Sequence, residues 1–106
     1  MTDVFSIGSW QPAEGQAEQF VQAWTEFARW AASMDGCGAP PRLTRDLREE
    51  GRFVSFAAWR DAESMHAWKA HPEFRERMSQ VQQHVAKFAP TELELVVDVA
   101  LLSGPA

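Results

Sequence analysis

Two apolar stripes with one shared rhythm, set either side of a hairpin-like stretch, constrain this chain more than any other feature. Phe20, Trp24, Phe27, Ala31 and Met34 recur at steps of four, three, four and three, which holds them on one face of a 3.6-residue helix. Phe74, Met78, Val81, Val85 and Phe88 repeat those steps and stop at Ala89-Pro90. Each stripe needs an apolar surface to lie on, and the segments between them supply one.

The first strand runs from Val4 to Trp10 and stops at Gln11-Pro12; the first helix is expected to start near residue 14, where Glu14, Gln16 and Glu18 suit a helix N-terminus. Asp35-Gly36-Cys37-Gly38 and then Pro40-Pro41 end that helix, since glycine takes the left-handed cap and proline forbids continuation. Leu43 to Arg48 alternates loosely, Glu49 to Arg52 reads as a turn, and Phe53 to Trp59 is rich in strand formers, so an antiparallel hairpin is expected. Asp61 is placed to cap a short helix that Pro72 interrupts before the second stripe begins. Glu92 to Leu102 alternates Leu93, Leu95, Val97, Val99 and Leu101 against a mixed face, which predicts the last strand, buried on one side.

The resulting order, β-α-β-β-α-β, is that of an α+β ferredoxin-like unit: a four-stranded antiparallel sheet with helices on one face. A chain of 106 residues is expected to make one such domain over residues 1–106. Helices on one face leave the other bare, yet the hairpin strand is apolar on both, with Val54, Phe56 and Ala58 on one side and Phe53, Ala57 and Trp59 on the other. A homodimer with its sheets packed face to face is therefore expected. Five Trp and seven Phe also exceed what one small core ordinarily holds, so part of that surface is read as serving a partner or ligand.

A net charge of −5 without a basic run argues against nucleic acid. The absence of an apolar run of about 18 residues argues against a membrane span. Cys37 is the single cysteine and has no intramolecular partner, and no signal-like segment opens the sequence; a soluble cytoplasmic protein is expected.

The stretch from Phe53 through Trp59, Asp61, Trp68 and Pro72 to Phe74, with Phe88-Ala89-Pro90 after it, resembles the antibiotic biosynthesis monooxygenase domains. The resemblance implies a dimeric α+β barrel with a cavity between each sheet and its helices. Members of that family include oxygenases that use O₂ on polycyclic phenols without metal or organic cofactor, heme-cleaving enzymes, and proteins without a demonstrated reaction. It implies that Trp59 is a structural strand-end residue, and that Trp68 occupies a functional position where relatives carry His or, in the heme-degrading branch, Trp. That branch also needs a His where this chain has Met78, and an Asn on the first strand; the chain has neither Asn nor Tyr. A cofactor-independent monooxygenase acting on a small aromatic or quinol-like molecule is the leading expectation. A heme-binding or heme-degrading protein and a non-catalytic small-molecule-binding barrel are the alternatives.

Candidate catalytic residues are Trp68, as an indole N–H donor, and His66, His71 and His84, one of which would be the base. His66 and His71 stand about 140° apart around a helix and cannot form an i, i+4 metal pair. Each is either a surface or helix-end residue or a cavity-facing proton acceptor. His84 flanks the second stripe, at the core edge or the cavity rim. Trp30, about 80° off the first stripe, Arg42 as an anion holder, Trp59 and Met78 are candidates for substrate binding; no metal site is expected.

Overall fold

Strand pairing around the first segment sets the architecture of the computed structural model, which describes residues 3–102. β1 (Val4–Pro12) lies inside the sheet. It runs antiparallel to β3 (Phe53–Trp59) from Val4 opposite Trp59 to Trp10 opposite Phe53. β2 (Arg42–Arg45) flanks β3, and β4 (Val85–Glu94) flanks β1, in the order β2-β3-β1-β4. The α+β ferredoxin-like arrangement expected from the sequence is the one observed.

Period-two alternation assigns the sheet faces. Val4, Trp10, Phe53, Ala57 and Trp59 turn inward and are buried. Against them lies α1 (Ala17–Ala32), burying Phe20, Trp24, Phe27, Ala28 and Ala31, the residues its stripe predicts together with the adjacent Ala28. Asp61 caps α2 (Ala62–Lys69), its carboxylate accepting the Ser64 backbone N–H at 2.7 Å. Pro72 separates α2 from α3 (Phe74–Gln82), whose N-terminal turn is tied by the Phe74 N–H donating to the His71 carbonyl at 2.9 Å.

β1 runs two residues further than expected, to Pro12, and α1 starts at Ala17 rather than near residue 14; two larger departures have a side-chain or a non-local reason. β2 ends at Arg45 rather than Arg48 because the Asp46 carboxylate accepts the backbone N–H groups of Arg48 and Glu49, both at 2.8 Å, folding the chain into a turn. Those bonds, and the Arg52 guanidinium at 2.7 Å, lower the Asp46 carboxyl to about 2.

The larger correction concerns the C-terminal third. The second stripe is helical only through Gln82, so Val85 and Phe88 belong to β4 and not to a continuing helix. A chain leaving the helix here gains a ladder along β1, with Phe88 opposite Trp10 and Glu94 opposite Val4. Pro90 is tolerated because β4 is an edge strand. The strand expected over Glu92–Leu102 is therefore displaced: it closes at Glu94, and Val99–Leu102 forms a single helical turn, α4. Of the alternating side chains meant for a buried face, Leu93, Val97, Val99 and Leu101 stand in solvent, Leu101 being 80% exposed. The Cα radius of gyration, 15.1 Å, exceeds the roughly 13 Å of a compact chain of this length.

Candidate active site

Small residues facing one another open a cavity between the layers. Ala28 and Ala31 on α1 lie across from Gly8 on β1 and Ala57 on β3, and together they leave about 250 Å³ unfilled. Larger side chains wall the space: Trp24 and Phe27 from α1, Trp68 from α2, Phe74 and Met78 from α3, and Phe88 from β4. Gly8 is required for a steric reason, since a Cβ there would stand 2.6 Å from Trp10 Nε1 and 2.8 Å from Ser55 Oγ.

Most of the cavity's few polar groups are already engaged. Trp10 Nε1–H donates to Ser55 Oγ at 2.8 Å, and Trp59 Nε1–H donates to Ser6 Oγ at 3.0 Å. Each serine oxygen has thereby accepted a bond and keeps its own proton to donate. Trp68 differs. Its ring stacks on Trp59 at 4.9 Å and meets Phe74 edge-on at 5.0 Å, while its buried Nε1 has no acceptor. An unpaired buried donor costs about 1–3 kcal/mol, and the Trp68 ring that carries it borders the cavity on one side and the groove beside His71 on the other.

Of the residues singled out from the sequence, Trp68 and Met78 line the cavity. The three histidines do not. His66 Nε2 lies 3.0 Å from Glu92 Oε1 on the outer side of α2. His71 Nδ1 accepts the Glu73 N–H at 3.0 Å, and its ring meets Trp30 edge-on at 5.2 Å, on a groove behind Trp68. His84 Nδ1 is 2.8 Å from Gln16 Oε1, which ties the turn before β4 to the start of α1. Trp30 packs outside the cavity on Phe27 and Phe74, with the Arg77 guanidinium 4.9 Å over its ring. Arg42 lies over Phe56 at 5.8 Å, on the strand face turned away from the helices. Trp59, 1% exposed, backs Trp68 from within the core.

Sequence reasoning passed over Lys69, Ser6 and Ser55. The serines carried a usable signal, since each is polar at an inward position of an otherwise apolar strand. Lys69 had none: it follows Trp68, and only the approach of β4 makes it part of the cavity wall. Its Nζ donates to Glu92 Oε2 at 2.8 Å. Bonds from Lys69 and then from His66 lower the Glu92 carboxyl below its ordinary value. Cys37 lies apart from the cavity, and burial raises its thiol, which disfavours the reactive thiolate. Among the described residues no three His, Cys, Asp or Glu side chains are grouped to hold a metal ion, and no helix is long and apolar enough to cross a membrane.

A ferredoxin-like sheet with helices on one face and an apolar, aromatic-walled cavity between the layers is an α+β architecture of the kind in which small-molecule sites are found. The chain belongs to the antibiotic biosynthesis monooxygenase family, whose model matches residues 4–80. Among solved structures it is similar to SnoaB, a cofactor-independent oxygenase from Streptomyces nogalater, at 15% identity and a TM-score of 0.81 over 93% of this chain and 98% of that one. A candidate antibiotic biosynthesis monooxygenase from Deinococcus radiodurans is 22% identical with a TM-score of 0.78, covering 90% and 94% of the two chains. Rv0793 from Mycobacterium tuberculosis is 18% identical with a TM-score of 0.77, covering 91% and 97%. At such identities the likeness establishes the fold. No curated protein sequence matches.

Proposed function

We propose that this protein is a cofactor-independent monooxygenase acting on a small aromatic or quinol-like molecule, working as a cytoplasmic homodimer. The observation that carries the reading is the buried Nε1 of Trp68, without an acceptor among the described residues, on a ring that lines an apolar cavity. Family membership and the fold shared with SnoaB support it.

Cofactor-free oxygenation needs an electron-rich anion held out of water, with room for O₂. The ionised substrate passes one electron to O₂. The radical pair then joins as a hydroperoxide on carbon, and loss of water leaves a carbonyl: a CH₂ group and O₂ become C=O and H₂O. In this reading Trp68 donates to the oxygen bearing the anion's charge, Ser6 and Ser55 add hydroxyl donors, and the aromatic wall excludes water. No histidine stands at the cavity to act as base. The substrate's proton is therefore lost to solvent before the anion settles in the cavity, which suits phenols and carbon acids that ionise readily.

The heme alternative fits less well. Axial ligation calls for a His, Cys, Tyr or Met, and among the described residues Met78 is the sole such side chain on the wall. Retention of a binding role without chemistry is the remaining alternative.

The dimer is supported by the uncovered face of the sheet. Phe5 and Ile7 of β1, Val54 and Phe56 of β3, and Leu93 of β4 alternate away from the helices. Val96, Val97, Val99, Leu101 and Leu102 are further exposed apolar side chains that a partner would cover.

Oxygen uptake with a panel of quinols and anthrones tests the proposal. Turnover by the wild type that falls about 100-fold in Trp68→Phe, the scale of losing one donor to a developing anion, supports it. No uptake with any substrate, or full activity in the variant, overturns it. A Soret band on adding hemin, lost with a reductant, would support the heme alternative instead.

A further inference from the structure

We propose that Lys69 makes the cavity selective for organic anions, its preferred ligand being a flat aromatic of about two fused rings bearing a carboxylate or phenolate. The proposal rests on the reading of this cavity as the ligand site and names the ligand class it takes. Among the described residues Lys69 is the single charged side chain on the cavity wall, and no carboxylate lines it. Its side chain is 27% exposed, and the Glu92 carboxylate that balances its charge is not part of the cavity wall, so what Lys69 offers the cavity is N–H donors.

The ammonium is held in place. Glu92 accepts from Lys69 at 2.8 Å and stands 3.0 Å from His66 Nε2, its two oxygens divided between residues three apart on one face of α2. An ammonium carries three donors, and Glu92 takes one, so two remain for a ligand. Trp68, the neighbouring residue, brings a further donor without an acceptor. Ser6 and Ser55 have each accepted a tryptophan N–H and keep hydroxyl protons to give. The polar complement of the wall is therefore weighted to donors, and a ligand that satisfies it must bring acceptors.

Volume sets the scale of the part of the ligand held inside. A 150 Å³ apolar cavity accommodates benzene, so about 250 Å³ accommodates a second fused ring. The chain's net charge of −5 disfavours approach of an anion at long range, which leaves the preference to the local donors of Lys69.

The test is equilibrium binding of 2-naphthoate and its uncharged isostere 2-naphthamide, followed by calorimetry on the wild type, Lys69→Met and Lys69→Arg. The wild type is expected to bind naphthoate about ten-fold more tightly or better, the ratio of one charge-assisted hydrogen bond. Lys69→Arg is expected to keep that preference and Lys69→Met to lose it. Equal affinity for the two ligands, binding of neither, or a preference surviving in Lys69→Met overturns the proposal. The wild-type comparison stands alone should a variant fail to fold. Neither ligand is a quinol, so the result is independent of turnover: anion preference without oxygen uptake removes the monooxygenase reading alone, and uptake without anion preference removes this one alone.

Discussion

The indole rings of Trp59 and Trp68 stack 4.9 Å apart with planes 27° from parallel, one with its N–H bonded to Ser6 and the other with none. The two residues share an environment and differ in hydrogen bonding. Replacing Trp59 by Phe removes a satisfied bond, strands the Ser6 oxygen and thins the stack, for an expected loss of about 2 kcal/mol in urea unfolding. Replacing Trp68 by Phe removes an unsatisfied donor, so its cost should be less than half as large even as oxygen uptake collapses.

The three histidines offer a complementary control. Each is engaged outside the cavity, His66 with Glu92, His71 with the Glu73 N–H and His84 with Gln16. His71→Ala and His84→Ala are expected to lower thermal stability while leaving turnover per folded molecule within about two-fold. A loss of the size seen for Trp68→Phe in either would restore a histidine as the base.

Gly8 tests the geometry of the cavity floor. A methyl group there meets both partners of the Trp10–Ser55 hydrogen bond, and neither can retreat within a packed sheet. Gly8→Ala should cost about 1–3 kcal/mol through overpacking, and amide exchange should show the loss concentrated where β1 meets β3.

Acid should loosen the contact between α2 and β4. Glu92 has a lowered folded carboxyl value because Lys69 and His66 bond its ionised form. Its contribution is thus fully present above the ordinary glutamate value and is lost as pH falls through the lowered one. Melting curves between about pH 6 and pH 3 should show a fall in stability that is smaller in Glu92→Gln, which starts without the charged bond.

The uncovered sheet face predicts the assembly. Phe5→Glu on that face, or Leu101→Asp in the exposed C-terminal segment, should convert a sedimenting dimer into a monomer. A wild type that sediments as a monomer at micromolar concentration would remove the dimer altogether.

Wherever structure follows from a residue and its near neighbours, the sequence by itself determined it. The stripe from Phe20 to Ala31 needs only the helical period. Phe53–Trp59 needs only strand-forming residues after a turn, and Asp61 and Pro72 act on the backbone beside them. Family membership was legible for the same reason, because the quoted stretch from Phe53 to Phe74 is nearly continuous. The tertiary structure decided what depends on partners far along the chain. Val85 and Phe88 satisfy a helix and a strand equally well, and pairing with β1, some seventy residues earlier, chose the strand. The alternation beyond Glu94 promised a buried face that the chain does not supply for itself. The cavity was hidden likewise, since it arises where Gly8, Ala28 and Ala57 converge from three elements, and Lys69 joins its wall only once β4 and Glu92 are laid beside α2.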